Sequence, residues 1–334
     1  MNDRRYLVWF LISALVWGVM ALAVVEAYDP YGENASRIWS DKPRYAVRVL
    51  TARRLAAKLE EGPYDIVFGT SRSAMLSRDA TDRPTLNFYP VYGNPRMVMD
   101  VLEHLGPRQA GHVGTIYYAL DLPTFCESCG VEDTRWRSDI WTAVYKLAHL
   151  PEAVSRLPLD VVRNLRGNTG TWVDNGAVLD LRPESGNGAW LDRGAVAPMV
   201  MPVEDATLDR LAVLDRLIRQ KGWRVEYFTP PLPVATLAVS DRAVLADLKR
   251  RLLERIPQLH DLTYLPGVSE NPRLFADATH LNPRGGRAAI CAIRSRLYLV
   301  GAENSVSQDP ALGHPVNRPP LPEDCLTSPP ERTP

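Results

Sequence analysis

Tyr64-Asp65-Ile66-Val67-Phe68-Gly69-Thr70-Ser71-Arg72 is the stretch on which the fold turns. It begins as a mostly apolar run and stops at a glycine, a threonine and a serine. A short apolar run bounded by turn residues is the pattern of a strand buried on both faces of a parallel sheet. Gly62-Pro63 closes the segment before it, a helix over about 44–61 with Val47, Leu50, Leu55 and Leu59 as its apolar stripe.

The same reading extends along the chain. Thr85 to Tyr89 is a second strand, and Asn94 to Leu105 a helix stopped by Gly106-Pro107. Val113 to Leu120 is a third strand. Helices between about 133 and 166 are broken by Pro151 and Pro158. Asp205 to Lys221 is amphipathic, with Leu208, Leu211, Leu214 and Ile218 inward and Gly222 at its end. Arg224 to Phe228 is a fourth strand, ended by Pro230-Pro231. Ala243 to Ile256 is helical, Asp261 to Leu265 a fifth strand, and Pro283 to Leu299 the closing helix. Alternating strands and helices predict an α/β fold of three layers with a parallel sheet. The domain is expected to span 44–300, with an insertion near 168–196 that is rich in Gly, Asn, Trp and Asp.

In such sheets the site lies at the carboxyl ends of the strands. Ser71 falls just past the first strand, where a nucleophile belongs. A serine hydroxyl needs a base to take its proton, and histidine titrates near working pH. Of six histidines, His280 has the strongest context: Asp277-Ala278-Thr279-His280-Leu281-Asn282-Pro283-Arg284-Gly285-Gly286. Asp277 stands three residues before it, close enough to orient the ring, and Asn282-Pro283 opens a helix that holds the loop. His260, expected just before the fifth strand with Asp261 beside it, is the rival base. Together Ser71, His280 and Asp277 supply a nucleophile, a base and an orienting carboxylate.

The ends of the chain differ. Arg4 and Arg5 precede an uncharged, mostly apolar run from Tyr6 to Val25, about the ~20 residues a bilayer-crossing helix needs. Arginines before the run and acids after it, Glu26 and Asp29, favour a cytoplasmic N-terminus and an exported body. Residues 1–28 read as the cytoplasmic tip and a single-pass anchor in the inner membrane, and 29–43 as a linker. A cleavable signal ending at Ala21-Leu22-Ala23 is the other reading; the run continues past it. The segment 301–334 is Pro-rich, with Pro319-Pro320-Leu321-Pro322 and Pro329-Pro330, and is expected to be mostly disordered.

Thirty-nine basic residues balance thirty-nine acidic ones, so nothing signals nucleic acid. Of four cysteines, Cys126 and Cys129 form a lone C-x-x-C. A structural disulfide is the reading for an oxidising compartment, with free thiols or a redox or metal role as alternatives. Cys291 reads as helix core, and Cys325 lies in the tail. No metal site is expected.

The two motifs, in this order and spacing, resemble the SGNH/GDSL hydrolase superfamily. Gly69-Thr70-Ser71-Arg72 matches its serine block and Asp277-Ala278-Thr279-His280 its D-x-x-H block. The likeness covers roughly residues 60–300 and is greatest to the membrane-anchored, extracytoplasmic branch that includes the DltD protein of teichoic acid D-alanylation and the alginate O-acetylation proteins. It implies a flavodoxin-like fold, a catalytic Ser71, Asp277 and His280, and no cofactor. It also implies transfer or removal of an O-acyl group, acetyl first among them, on a cell-envelope or secreted polysaccharide, with a membrane-bound O-acyltransferase as partner. The family's second block supplies an oxyanion glycine, for which Gly93 fits. Its third block supplies a G-x-N asparagine, but this chain has Ala119-Leu120-Asp121-Leu122-Pro123 instead. Asn94 or the Ser71 N–H then has to help. Arg72 is a candidate for an anionic or polar substrate group, or else for an internal salt bridge. Asp121 is a candidate for a sugar hydroxyl, or else for a turn cap. Trp172 and Trp190, with Asn175 and Asn187, suit a saccharide surface or an ordinary packed loop. Two other functions stay open: a small-ester or lipid esterase, and a non-catalytic envelope protein that binds glycan or a partner.

Overall fold

The structure, a computed structural model, describes residues 3–28, 55–76, 83–89, 93–125, 203–301 and 319–326. The chain divides into two compact units, one of residues 1–51 and 135–172, the other of 52–134 and 173–334. In the first unit the described element is helix α1, Asp3–Tyr28. Its side chains are described from Arg5 to Met20 and are exposed, among them Tyr6, Trp9, Phe10, Leu15 and Trp17. Among the described residues no helix is long and apolar enough to cross a membrane.

The second unit is α/β, built on a six-stranded, mostly parallel sheet. Its strands are β1 Tyr64–Phe68, β2 Thr85–Asn87, β3 Val113–Ala119, β4 Arg224–Thr229, β5 Gln258–Asp261 and β6 Leu299–Gly301. The order is β2-β1-β3-β4-β5-β6. The first five are parallel, with Val67 beside Asn87 and Tyr117, and Phe228 beside Ala119 and His260. β6 runs antiparallel to β5. Two expectations are corrected here. The fifth strand lies earlier than 261–265, so His260 sits inside it. The closing helix also stops short of Leu299, because Arg296 turns the chain with φ 55° and the next residues return as β6.

Helices cover both faces. They are α2 Pro95–Glu103, α3 Pro107–Gly111, α4 Asp205–Gln220, α5 Val234–Val239, α6 Arg242–Leu253, α7 Pro283–Ser295 and α8 Glu323–Leu326. Strand alternation sorts the core. Val67, Ala119 and Phe228 pack with Ala288, Ala289, Ala292 and Ile293 of α7. Ile66, Phe68, Tyr118 and Tyr227 belong to the opposite face, where Tyr227 Oη–H donates to Asp215 of α4 at 3.0 Å. Phe68 lies 5.2 Å from Phe88 and 6.1 Å from Tyr118 between ring centroids, so a connected aromatic core underlies the end of β1.

The tail is corrected in part. Leu321 and Cys325 are buried in the α7 core, and Tyr298 Oη–H donates to the Pro319 carbonyl at 2.7 Å. Cys325 forms a disulfide with Cys291 of α7. Cys291 is therefore a cross-link, not simply a core side chain. Cys126 and Cys129, the insertion near 168–196 and the helices expected between 133 and 166 lie outside the described residues.

Candidate active site

The turn that carries Ser71 is clamped from three directions. Gly69 has φ 155°, and a Cβ there would stand 2.7 Å from Ala119 Cβ on β3. Thr70 caps the short 3-10 turn Ser71–Ser73, its hydroxyl oxygen accepting from the Arg72 N–H at 3.3 Å. The same hydroxyl donates to Asp121 Oδ2 at 2.8 Å, which ties the turn to the end of β3. Asn87, from β2, donates through Nδ2 to the Ser73 and Leu76 carbonyls at 2.8 and 3.0 Å. Ser71 is left half-buried at the lip of the sheet.

His280 arrives on the loop before α7. Asn282 caps that helix, accepting at Oδ1 from the Arg284 and Gly285 N–H groups, both at 3.0 Å. Its Nδ2 donates to the Arg273 carbonyl, and its own N–H donates to the Leu274 carbonyl. Gly286 brings the helix so close to the Ser71 turn that a Cβ would stand 2.6 Å from the Met75 carbonyl oxygen. A hydrogen bond from the Thr236 hydroxyl of α5 holds the Ala278 carbonyl. This scaffold puts His280 Nε2 2.8 Å from Ser71 Oγ.

Asp277 lies on the other side of the ring, both carboxylate oxygens 2.9 Å from His280 Nδ1. It accepts as well from the Thr279 N–H at 2.8 Å and the His280 N–H at 2.9 Å. Burial pushes the Asp277 carboxyl up, but the bonds from the His280 ring and the two amides outweigh this and hold it at about 2. An ionised Asp277 takes the Nδ1–H, which leaves the Nε2 lone pair to receive the serine proton. Ser71, His280 and Asp277, 209 residues apart at the extremes, thus meet as a hydrogen-bonded chain.

The remaining candidates separate. Gly93 has φ 59°, and a Cβ would meet the Gly69 backbone at 2.7 Å, so its peptide lies against the turn that carries Ser71. Among the described residues nothing accepts a hydrogen bond from the Gly93 or Ser71 N–H. Asn94 spends its side-chain oxygen capping α2, accepting from the Arg96 N–H at 3.0 Å. Arg72 and Asp121 are 6% and 4% exposed, and their charged groups meet each other inside the protein. Arg72 reaches the Asp121 carboxylate and three loop carbonyls. Asp121 accepts from Thr70, Arg72 and Thr124. Of the alternatives, the internal salt bridge and the turn cap are what form. Trp172 and Trp190 lie outside the described residues.

His260 is not part of this chain of groups. It is fully buried in β5, with Nε2 2.9 Å from Glu226 of β4. Residues that sequence reading missed are Thr70, which bonds Asp121, Asn87, which holds two carbonyls beyond Ser71, Thr236, which holds the Ala278 carbonyl, and Thr279, whose carbonyl accepts from Arg72. Only the cap signal of Asn282 was available locally. No protein-family model matches the chain, and neither a curated protein nor a solved structure matches it.

Proposed function

We propose that this protein is an SGNH-type serine acyltransferase or esterase, held at the inner membrane by the apolar sequence run Tyr6 to Val25, with its α/β body outside the cytoplasm. One observation carries the reading: a serine at the end of β1 hydrogen-bonded to a histidine that is itself held by an ionised aspartate. The strand order β2-β1-β3-β4-β5 is the doubly wound, flavodoxin-like order, for which this end of the sheet is the place for a site. The Cys291–Cys325 disulfide supports an oxidising compartment.

In this reading Ser71 Oγ attacks the acyl carbon while His280 Nε2 takes its proton. The Gly93 and Ser71 N–H groups receive the developing oxyanion. Collapse breaks the ester bond, and His280 returns the proton to the departing alkoxide. An acceptor hydroxyl, deprotonated in turn by His280, then attacks the acyl-enzyme and frees Ser71. If the acceptor is a sugar hydroxyl of a cell-envelope or secreted polysaccharide, the reaction is O-acyl transfer, most simply of acetyl. A membrane-bound O-acyltransferase is the partner that would deliver the acyl group. If the acceptor is water, the protein is an esterase.

The test uses the full chain in detergent. A fluorophosphonate probe is expected to add to Ser71, located by peptide mass, and p-nitrophenyl acetate to turn over. Acetylated and unacetylated polysaccharides then separate transfer from hydrolysis. A second reading, a non-catalytic glycan- or partner-binding protein, draws on Asp121. That residue stands where the family places a third oxyanion donor, and losing one donor costs about 10²–10³ in rate. A folded chain whose Ser71 never labels would favour it.

A further inference from the structure

Arg72 follows the nucleophile, yet its guanidinium points into the protein. Nε–H donates to the Thr279 carbonyl at 3.2 Å, in the loop that carries His280. One terminal nitrogen meets Asp121 Oδ2 at 3.5 Å, at the end of β3. The other meets the Pro230 carbonyl at 3.2 Å and the Pro231 carbonyl at 3.5 Å, at the end of β4. A planar fork of five donors suits this task, since it can serve carbonyls in several directions at once. Asp121 supplies the compensating charge, without which a buried cation would be strongly unfavourable. Asp121 in turn receives the Thr70 hydroxyl from the residue before Ser71.

We propose that Arg72 is a positioning residue, a buried strut between the nucleophile's turn and the base's loop that holds Ser71 and His280 at reacting distance. Two contacts of the strut converge on the triad from opposite sides: the peptide on which Arg72 itself sits, adjoining Ser71, and the Thr279 carbonyl, adjoining His280. The Ser71–His280 bond spans segments 209 residues apart, so its length depends on how the two loops are docked. The proposal rests on the serine-dependent reading for its kinetic consequence, but its structural consequence does not.

The test is Arg72→Lys in the full chain. Lysine keeps the charge facing Asp121 and loses the fork, so the folded state is expected to survive with a circular dichroism spectrum like that of wild type. Phosphonylation of Ser71 is expected to slow by about 10²-fold, the order of effect of a small misplacement of reacting groups. KM for p-nitrophenyl acetate should stay near the wild-type value while kcat falls. Backbone amides of residues 277–282 should exchange with deuterium several-fold faster, with exchange in α4 unchanged. A folded Arg72→Lys chain with wild-type labelling and wild-type loop exchange overturns the proposal.

If Arg72→Lys does not fold, Asp121→Asn serves in its place. It keeps an acceptor for Thr70 and Arg72 but removes the charge that compensates the buried guanidinium, so lower stability and a change in the same direction are expected; no change in a folded chain overturns the proposal. Failure of both variants to fold also overturns it, because a pair required by the whole fold has no separate positioning role. If wild-type Ser71 is inert, the acyl-transfer reading falls. Loop exchange then still decides on the strut.

Discussion

At the residue scale the site is a chain of proton partners, and each link has its own expected loss. Ser71→Ala and His280→Ala should each remove most turnover, about 10⁴–10⁶-fold as in serine hydrolases generally, and the double variant should be scarcely worse than either. Asp277→Ala should cost less than either, because it orients rather than attacks. Steady-state kcat with p-nitrophenyl acetate measures all three, and a Ser71→Ala chain as active as a robust wild type would remove the assignment. Asp277 also sets a pH signature. Its folded-state value of about 2 is below the ordinary 3.8, so its bonds stabilise the fold above about pH 4 and that contribution is lost as pH falls towards 2. The thermal midpoint of wild type should exceed that of Asp277→Asn at pH 6, and the gap should narrow below pH 4. Asp277 stays ionised throughout neutral and mildly acid pH, so an acid limb in kcat/KM above about pH 4 belongs to another group.

The three residues of this chain were legible because their chemistry is local. A serine after an apolar strand and an aspartate three residues before a histidine need no tertiary information. Arg72 and Asp121 were ambiguous for the opposite reason. Whether a charged side chain faces a ligand or the interior depends on what distant segments lie beside it. Here those segments are the ends of β3 and β4 and the Thr279 carbonyl.

At the element scale, the docking of α7 decides whether the two halves of the site meet. Gly286→Ala should raise the intrinsic helix preference by about 1 kcal/mol. Its Cβ would, however, stand 2.6 Å from the Met75 carbonyl oxygen, and neither partner is a flexible side chain. Overpacking of that kind costs about 1–3 kcal/mol. A net loss of stability in urea is therefore expected, with a fall in kcat, because Met75 follows directly on the turn that carries Ser71. The disulfide is the second device. Cys291 and Cys325 close a loop of 34 residues, for which chain entropy alone suggests about 3–4 kcal/mol. Cys325→Ser should lower the thermal midpoint under oxidising conditions and should match wild type once the disulfide of the latter is reduced. The site should still label with the fluorophosphonate probe below the lowered midpoint, since the cross-link lies on the far part of α7.

These elements show where local pattern misleads. Helix periodicity in Pro283 to Leu299 runs on past Ser295, yet Arg296 adopts a left-handed conformation and Leu299–Gly301 pairs with β5. Strand pairing is a property of two segments, and one of them alone does not announce it. The proline-rich composition of the tail argued against regular structure. It carried no sign that Leu321 and Cys325 would pack into the α7 core.

For the whole molecule the expectation is topological. A reporter that works only outside the cytoplasm, fused after Pro334, should be active, and a reporter confined to the cytoplasm should not be. The reverse result would remove the exported reading and, with it, the polysaccharide substrate. By itself the sequence determined the α/β class, the strand that ends just before Gly69-Thr70-Ser71, and the choice of Ser71, His280 and Asp277 as candidate site residues. Each is encoded in short-range order: the spacing of apolar residues, the residues that stop a helix or strand, and an aspartate within reach of a histidine. Tertiary structure alone decided that Ser71 and His280 stand 2.8 Å apart, that Arg72 and Asp121 turn inward, that β6 runs antiparallel, and that Cys291 pairs with Cys325. Those outcomes depend on which distant segments come to lie side by side, and that is set by packing of the whole sheet and its helices rather than by any one stretch of chain.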